Sequence, residues 1–251
     1  MQAISKNQIK FIRSLAQLKY RREHKAYLVE GHKSALEWLA QAAPVRYIVA
    51  AGAWYAEHEA ALKAVPGSAR LLATQQDFEK ISTLKTPPEV MLVVEQQEHA
   101  ESLEIEAGEW VLMLDKVQDP GNFGTIVRTA DWFGIRQIVC SPDCVEQYNP
   151  KVVQSTMGSL LRVQCHYQSL TEVLDRFSEL PAYAAVLGGE PLEQLGDAPP
   201  GFIIMGNESN GISDAVQEKT SRRITISRIG GAESLNVSVA TGIICHQLLM
   251  G

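Results

Sequence analysis

Residues 110–130 read WVLMLDKVQDPGNFGTIVRTA. The opening five residues form an uncharged apolar run of strand length, which stops at Asp115. Pro120, Gly121 and Gly124 then punctuate a polar loop, and a helix is expected over 124–133. Strand, glycine-bearing loop, helix is the unit from which α/β folds are assembled. Reading outward, the unit repeats. Toward the C-terminus, strands are expected at 137–140, 182–187, 202–205 and 223–227, with helices at 152–160, 213–219 and 237–249. These strands are nearly continuous apolar runs, the pattern of a mainly parallel sheet covered on both faces.

Upstream, a smaller α/β series is expected. Ser5 with Gln8 three residues later reads as a capping box, and Ile9, Ile12, Leu15 and Leu18 follow at helical spacing. The charged segment 21–25 breaks that pattern. Helices at 34–41, 55–64 and 76–81 then alternate with strands at 47–51, 71–73 and 89–95. The polar, acidic stretch 96–108 reads as a linker, which divides the chain into domains over 1–95 and 109–251.

Composition excludes several classes. Hydrophobic residues make up 45% and charged residues 21%, values of a globular chain rather than a disordered or fibrous one. No apolar run approaches the roughly 18 residues that span a bilayer, and residues 1–10 lack the apolar segment of a secretory signal. Cys140, Cys144, Cys165 and Cys245 form no CxxC pair, so buried, reduced thiols in a cytoplasmic protein are expected, with no metal site. Net charge is −6, yet residues 1–33 hold eight basic and two acidic side chains. A start of +6 on a remainder of −12 is the asymmetry a nucleic-acid contact needs, since phosphate neutralisation dominates such affinity. Lys19, Arg21, Arg22 and Lys25 are the candidate RNA contacts.

Polar and glycine residues cluster in three loops that follow strands, the edge where open α/β sheets bind ligands. The first lacks both the GxxxxGK spacing of a P-loop and the GxGxxG dinucleotide fingerprint. The second contains Gly206, Asn207, Glu208 and Gly211, where Gly206 permits close backbone approach to a ligand. The third, over 228–236, runs through Ser234, Leu235 and Asn236 into the last helix. In order, the loops resemble the three motifs of the SpoU family of ribose 2′-O-methyltransferases, of the SPOUT superfamily. Asn122, Gly124 and Arg128 match the first motif; Gly206, Asn207, Glu208 and Gly211 the second; Ser234, Leu235, Asn236 and Val237 the third. The motifs lie 84 and 28 residues apart, counted from Asn122 to Gly206 to Ser234. Residues 1–95 are similar, less specifically, to the ribosomal-protein-like RNA-binding domain often fused ahead of SpoU domains. One departure stands out: many members carry proline after the last strand's isoleucine, where this chain has Ser227 and Arg228.

The resemblance implies a C-terminal domain with a deep trefoil knot, dimerising through the knotted region, and S-adenosylmethionine held largely by backbone groups around Gly206, Ile226 and Leu235. It implies methyl transfer to a ribose 2′-hydroxyl of RNA, with ribosomal RNA favoured over transfer RNA by the fused N-terminal domain. A non-catalytic RNA-binding or ribosome-assembly protein of the same fold is the alternative. Catalytic work falls to Arg128, assisted by Asn122, Glu208, Ser234 and Asn236. Arg128 acts either as a literal base or as a guanidinium that stabilises developing alkoxide charge.

Overall fold

The computed structural model describes residues 1–63, 65–97 and 103–251. In chain order the elements are β1 (Gln2–Ala3), α1 (Lys6–Ser14), α2 (Leu18–His24), β2 (Ala26–Glu30), α3 (His32–Ala40), β3 (Val45–Ala50), α4 (Gly52–Glu57), β4 (Arg70–Leu72), α5 (Gln75–Ile81) and β5 (Val90–Glu95). There follow β6 (Val111–Leu114), α6 (Pro120–Trp132), β7 (Gln137–Cys140), α7 (Pro150–Thr156), β8 (Gln164–Tyr167), α8 (Leu170–Arg176), β9 (Ala182–Pro191), β10 (Phe202–Met205), α9 (Asp214–Gln217), β11 (Arg222–Thr225) and α10 (Val237–Met250). Two compact units result: Met1–His99 with Glu146–Leu161, and Ala100–Val145 with Arg162–Gly251. Part of the expected linker, 98–102, and the last residue of the helix expected over 55–64 lie outside the described residues.

In the first unit, α1 starts at the expected capping box: the Gln8 amide donates to Ser5 Oγ at 3.3 Å, and the Ser5 amide to Gln8 Oε1 at 2.9 Å. The sheet order is β1-β4-β3-β5-β2, with β5 antiparallel to both β2 and β3. Successive residues of β2 and β5 point to opposite faces. Tyr27, Val29, Val90, Leu92 and Val94 join Ala35 and Trp38 of α3 in one core, while Leu28, Met91 and Val93 join Ile12 of α1 and Phe78 of α5 in another. Segment 146–161, read from sequence with the second series, supplies Tyr148 and Val153 to the first of these cores. Of the segment 21–25 read as a break, residues 21–24 are helical, the second half of α2, and Lys25 caps it. Their one buried side chain is Arg21, so no apolar periodicity marks the helix.

The second unit is built on six parallel strands in the order β11-β9-β10-β6-β7-β8. One face packs Val111, Met113, Val139, Phe202 and Ile204 against α8 and α9. Leu112, Leu114, Ile138 and Ile203 alternate with them and are equally buried, so the sheet is covered on both sides. Helices α6 and α10 pack against each other. This is the parallel α/β architecture expected from sequence. Two elements were not expected, β8 and α8, and β9 extends four residues beyond its expected end to Pro191. The extension runs past a register shift opposite Arg223 and Ile224.

Candidate active site

The chain winds from β6 outward to β8, then returns to place β10 beside β6. Ligands of open α/β sheets bind outside the strand carboxyl ends at such a reversal. The loops leaving β6, β10 and β11 are the three motif loops.

The first loop is fixed at both ends. Asp115, a buried carboxylate at the end of β6, accepts the Ser213 amide through Oδ2 at 2.7 Å, which ties this loop to the segment after the second. Asp119 caps α6 by accepting the Asn122 amide at 2.8 Å, with Pro120 in the first turn, where its missing N–H costs nothing. The second loop closes on itself: Asn207 and Gly211 exchange backbone hydrogen bonds at 2.9 Å each way. Asn207 also donates Nδ2 to the Lys116 carbonyl at 2.8 Å. Gly211 has φ +68°, and a Cβ on Gly206 would overlap the backbone of Gly211 and Ile212. A close approach to its own loop therefore requires glycine at 206. In the third loop Asn236 caps α10, its Oδ1 accepting the Ser238 amide at 2.9 Å.

Asn122 joins all three. Its Nδ2 donates to Glu208 Oε1 at 2.9 Å, and its Oδ1 accepts Asn236 Nδ2 at 2.8 Å. Residues 86 and 114 positions away are thereby hydrogen-bonded to one half-buried amide. Beside this bridge lies a cavity of about 910 Å³, within the usual range of ligand sites. Gly206, Ile226 and Leu235 all line it, as do Glu208 and Ser234. The wall is mixed: apolar side chains such as Ile224 and Ile244 line it together with the carboxylates of Glu208 and Glu233 and the guanidinium of Arg228. That combination fits a ligand that carries charge of both signs on a partly apolar body.

Two groups of expected site residues are not among the bridge's hydrogen-bonding residues. Arg128 is exposed on α6, outside the cavity lining, and makes no hydrogen bond or ion pair among the described residues. Lys19, Arg22 and Lys25 are exposed on and just after α2. Arg21 is not. It is 2% exposed, pairs with Glu146 at 2.7 Å and donates to the carbonyls of Leu15 and Ala16 at 3.0 and 2.9 Å. With four of its five N–H donors so engaged and the side chain buried, Arg21 is not presented to a phosphate, which removes it from the RNA-contact set. Asp115 was missed from sequence; its signal was a carboxylate directly at the carboxyl end of an apolar parallel strand.

These loops carry what comparison with known proteins finds. The profile of the SpoU rRNA Methylase family matches residues 109–246, and that of the MRM3-like substrate binding domain matches residues 6–92. The Bacillus subtilis 23S rRNA (guanosine(2553)-2′-O)-methyltransferase RlmP is 29% identical over 180 residues, covering 70% of this chain and 71% of its own. A solved structure of a TrmH-family protein from Porphyromonas gingivalis superposes with TM-score 0.84 at 38% identity, covering 98% of both chains. An AdoMet-bound rRNA methyltransferase from Sinorhizobium meliloti does so with TM-score 0.86 at 27% identity, over 99% of this chain and 97% of that one. With a family profile spanning more than half the chain and all three bridged loops inside it, the protein belongs to the SpoU rRNA methylase family.

Proposed function

We propose that the protein transfers a methyl group from S-adenosylmethionine to a ribose 2′-hydroxyl of ribosomal RNA. The observation that carries this reading is the Asn122 bridge, which holds three separate loops around one cavity with a wall part apolar and part charged. Bound there, S-adenosylmethionine supplies an electrophilic methyl on a sulfonium; the positive centre suits the carboxylates, and the apolar wall excludes water. The trefoil knot implied by the family belongs to this proposal, as does a cytoplasmic setting, which four free, buried thiols support.

The transfer is an in-line displacement with little covalent work for the protein, so positioning and charge stabilisation remain. The Arg128 guanidinium, exposed and uncommitted to any described partner, is assigned to the substrate. A guanidinium is almost never neutral at pH 7, so an electrostatic role is favoured over a literal base. It fixes a neighbouring phosphate and favours the alkoxide as charge develops. Asn122, Glu208, Ser234 and Asn236 hold the loops and hydrogen-bond the ribose, while Lys19, Arg22 and Lys25 contact RNA phosphates.

A homodimer through the second unit is part of the same reading. Thr125 and Arg128 lie three apart on α6, and Trp132 follows four residues later, so the three share one stripe. Trp132 is 83% exposed, and Val239 and Ile243 of α10 are 52% and 40% exposed. Thr125, Val239, Ile243 and His246 line a groove there of about 550 Å³. A second copy covering that face would bring its own loops up to Arg128. Calorimetry with S-adenosylmethionine tests the cavity: the reading predicts one site per chain, and no binding to a folded protein refutes it.

A further inference from the structure

The third motif loop opens where this chain departs from many members of its family, with Ser227 and Arg228 following Ile226. Arg228 stands three residues beyond the carboxyl end of β11 and lines the cavity. Its side chain is exposed, and Nη1 donates to the Ala232 carbonyl at 3.0 Å, which closes the chain on itself around Gly230 and Gly231. A guanidinium carries five N–H donors in a planar fork. One is engaged here; the other four make no hydrogen bond or ion pair among the described residues.

Charge in the cavity wall is uneven. Among the described residues its ionised side chains are Glu208, Glu233 and Arg228, so Arg228 is its one cation. Glu208 belongs to the bridge: Oε1 accepts Asn122 Nδ2 at 2.9 Å, and Oε2 lies 3.5 Å from Asn207 Nδ2. Glu233 is exposed and makes no hydrogen bond or ion pair among the described residues. Arg228 and Glu233 thus line one cavity from the same loop without pairing with each other. Opposite charges held in one wall and left unpaired suit a ligand that brings both signs itself.

S-adenosylmethionine does so at one end. Its amino-acid tail carries an α-ammonium and an α-carboxylate, next to the sulfonium. The two carboxylates of the wall suit the positive centres and repel the negative one, which loses its hydration on binding and needs a partner in return. We propose that Arg228 recognises the amino-acid end of the cofactor, its free N–H groups donating to the α-carboxylate while Glu233 takes the α-ammonium. A guanidinium fork matches the two oxygens of a carboxylate, and such charge-assisted, bidentate pairs are the strong ones. An RNA phosphate is the other anion an exposed arginine meets. A wall with two carboxylates to one guanidinium disfavours a group that brings no positive charge of its own. This assignment rests on the cavity being the S-adenosylmethionine site.

The test measures calorimetric affinity of the full chain for three ligands. They are S-adenosylmethionine, its decarboxylated form, which lacks only the α-carboxylate, and 5′-methylthioadenosine, which lacks the amino-acid end and the sulfonium. The decarboxylated form is the more cationic, so an acidic wall acting by charge alone would bind it tighter. With Arg228 in place, S-adenosylmethionine should bind about tenfold or more tighter than the decarboxylated form. Arg228→Ala should lose that preference: S-adenosylmethionine weakens about tenfold or more, the decarboxylated form binds no weaker, and 5′-methylthioadenosine stays within about threefold. Arg228→Gln keeps a donor for the Ala232 carbonyl without the charge and should lose the preference as fully. Arg228→Lys keeps the charge without the fork and should retain part of it.

If the alanine and glutamine variants weaken all three ligands alike, Arg228 only holds the loop and the proposal is overturned. It is equally overturned by an unchanged preference, including one accompanied by weaker RNA binding, which would give Arg228 to the phosphates. A wild type that binds S-adenosylmethionine without preferring it overturns the proposal and leaves the functional reading standing. A folded wild type that binds none of the three sinks both.

Discussion

Asn122→Asp exchanges one amide for a carboxylate of the same shape at the centre of the three-loop bridge. The oxygen that accepts Asn236 Nδ2 at 2.8 Å is retained, so the link to the third loop survives. The donor to Glu208 Oε1 at 2.9 Å is lost, and two carboxylate oxygens are left facing each other. A hydrogen bond to a charged group contributes about 1.5–3 kcal/mol. A like-charge pair some 3 Å apart, screened as in water because Glu208 is exposed, costs about 1.4 kcal/mol. Together the loops lose roughly 3 kcal/mol of coupling, which for a chain of this size lowers the melting midpoint by about 6–12 °C. S-adenosylmethionine affinity should fall with it, since Glu208 and Gly206 line the cavity. The informative variant is the pair Asn122→Asp with Glu208→Gln. There the glutamine amide donates to the new carboxylate, the bond reverses polarity, and most of the loss should return as a favourable coupling in the double-mutant cycle. Thermal unfolding and calorimetry on the four proteins read this directly. A single variant as stable as wild type, or a double variant no better than the single, would refute the bridge.

Arg128→Ala should leave S-adenosylmethionine and RNA affinity within about threefold while single-turnover methylation collapses, and Arg128→Lys should rescue little because the planar fork is lost. Neutralising Lys19, Arg22 and Lys25 together should flatten the log–log salt dependence of RNA binding by about 0.7–0.9 per contact and leave S-adenosylmethionine affinity alone. Arg21→Ala behaves differently: it strands Glu146 and two carbonyls, so it should cost about 3–5 kcal/mol of stability in chemical denaturation. Trp132→Glu should convert the protein to a monomer in sedimentation; a wild type that is already monomeric at micromolar concentration refutes the dimer.

The central strands were legible because β6, β7 and β10 are short apolar runs bounded by polar residues, and burial on both faces leaves that pattern intact. The helix α8 was missed although Ser169 and Glu172 stand at N-cap spacing, and Ser169 does accept the Glu172 amide at 3.4 Å. Beside it β8, QCHY, carries too few apolar residues to announce a strand. Helix α2 hid for the opposite reason: its buried residue is an arginine, whose ion pair with Glu146 links positions 125 apart, a distance no local pattern encodes. The same limit misread Arg21 as a surface contact. In the site, residue types and order were readable from the motif loops, but their joining was not. That Asn122 is shared by Glu208 and Asn236, and that Gly206 is needed by its own loop, are properties of the folded edge.

Alkaline digestion of RNA methylated with tritiated S-adenosylmethionine tests the whole account most directly. The RNA should come from cells of the source organism lacking this gene, so that the target ribose is unmodified. Alkali cleaves RNA through the 2′-hydroxyl, so a methylated ribose protects its own phosphodiester. The account predicts label in alkali-resistant dinucleotides derived from ribosomal RNA, absent with Arg128→Ala. Label in mononucleotides, the signature of a methylated base, or no label on any RNA from a protein that binds S-adenosylmethionine, would contradict it.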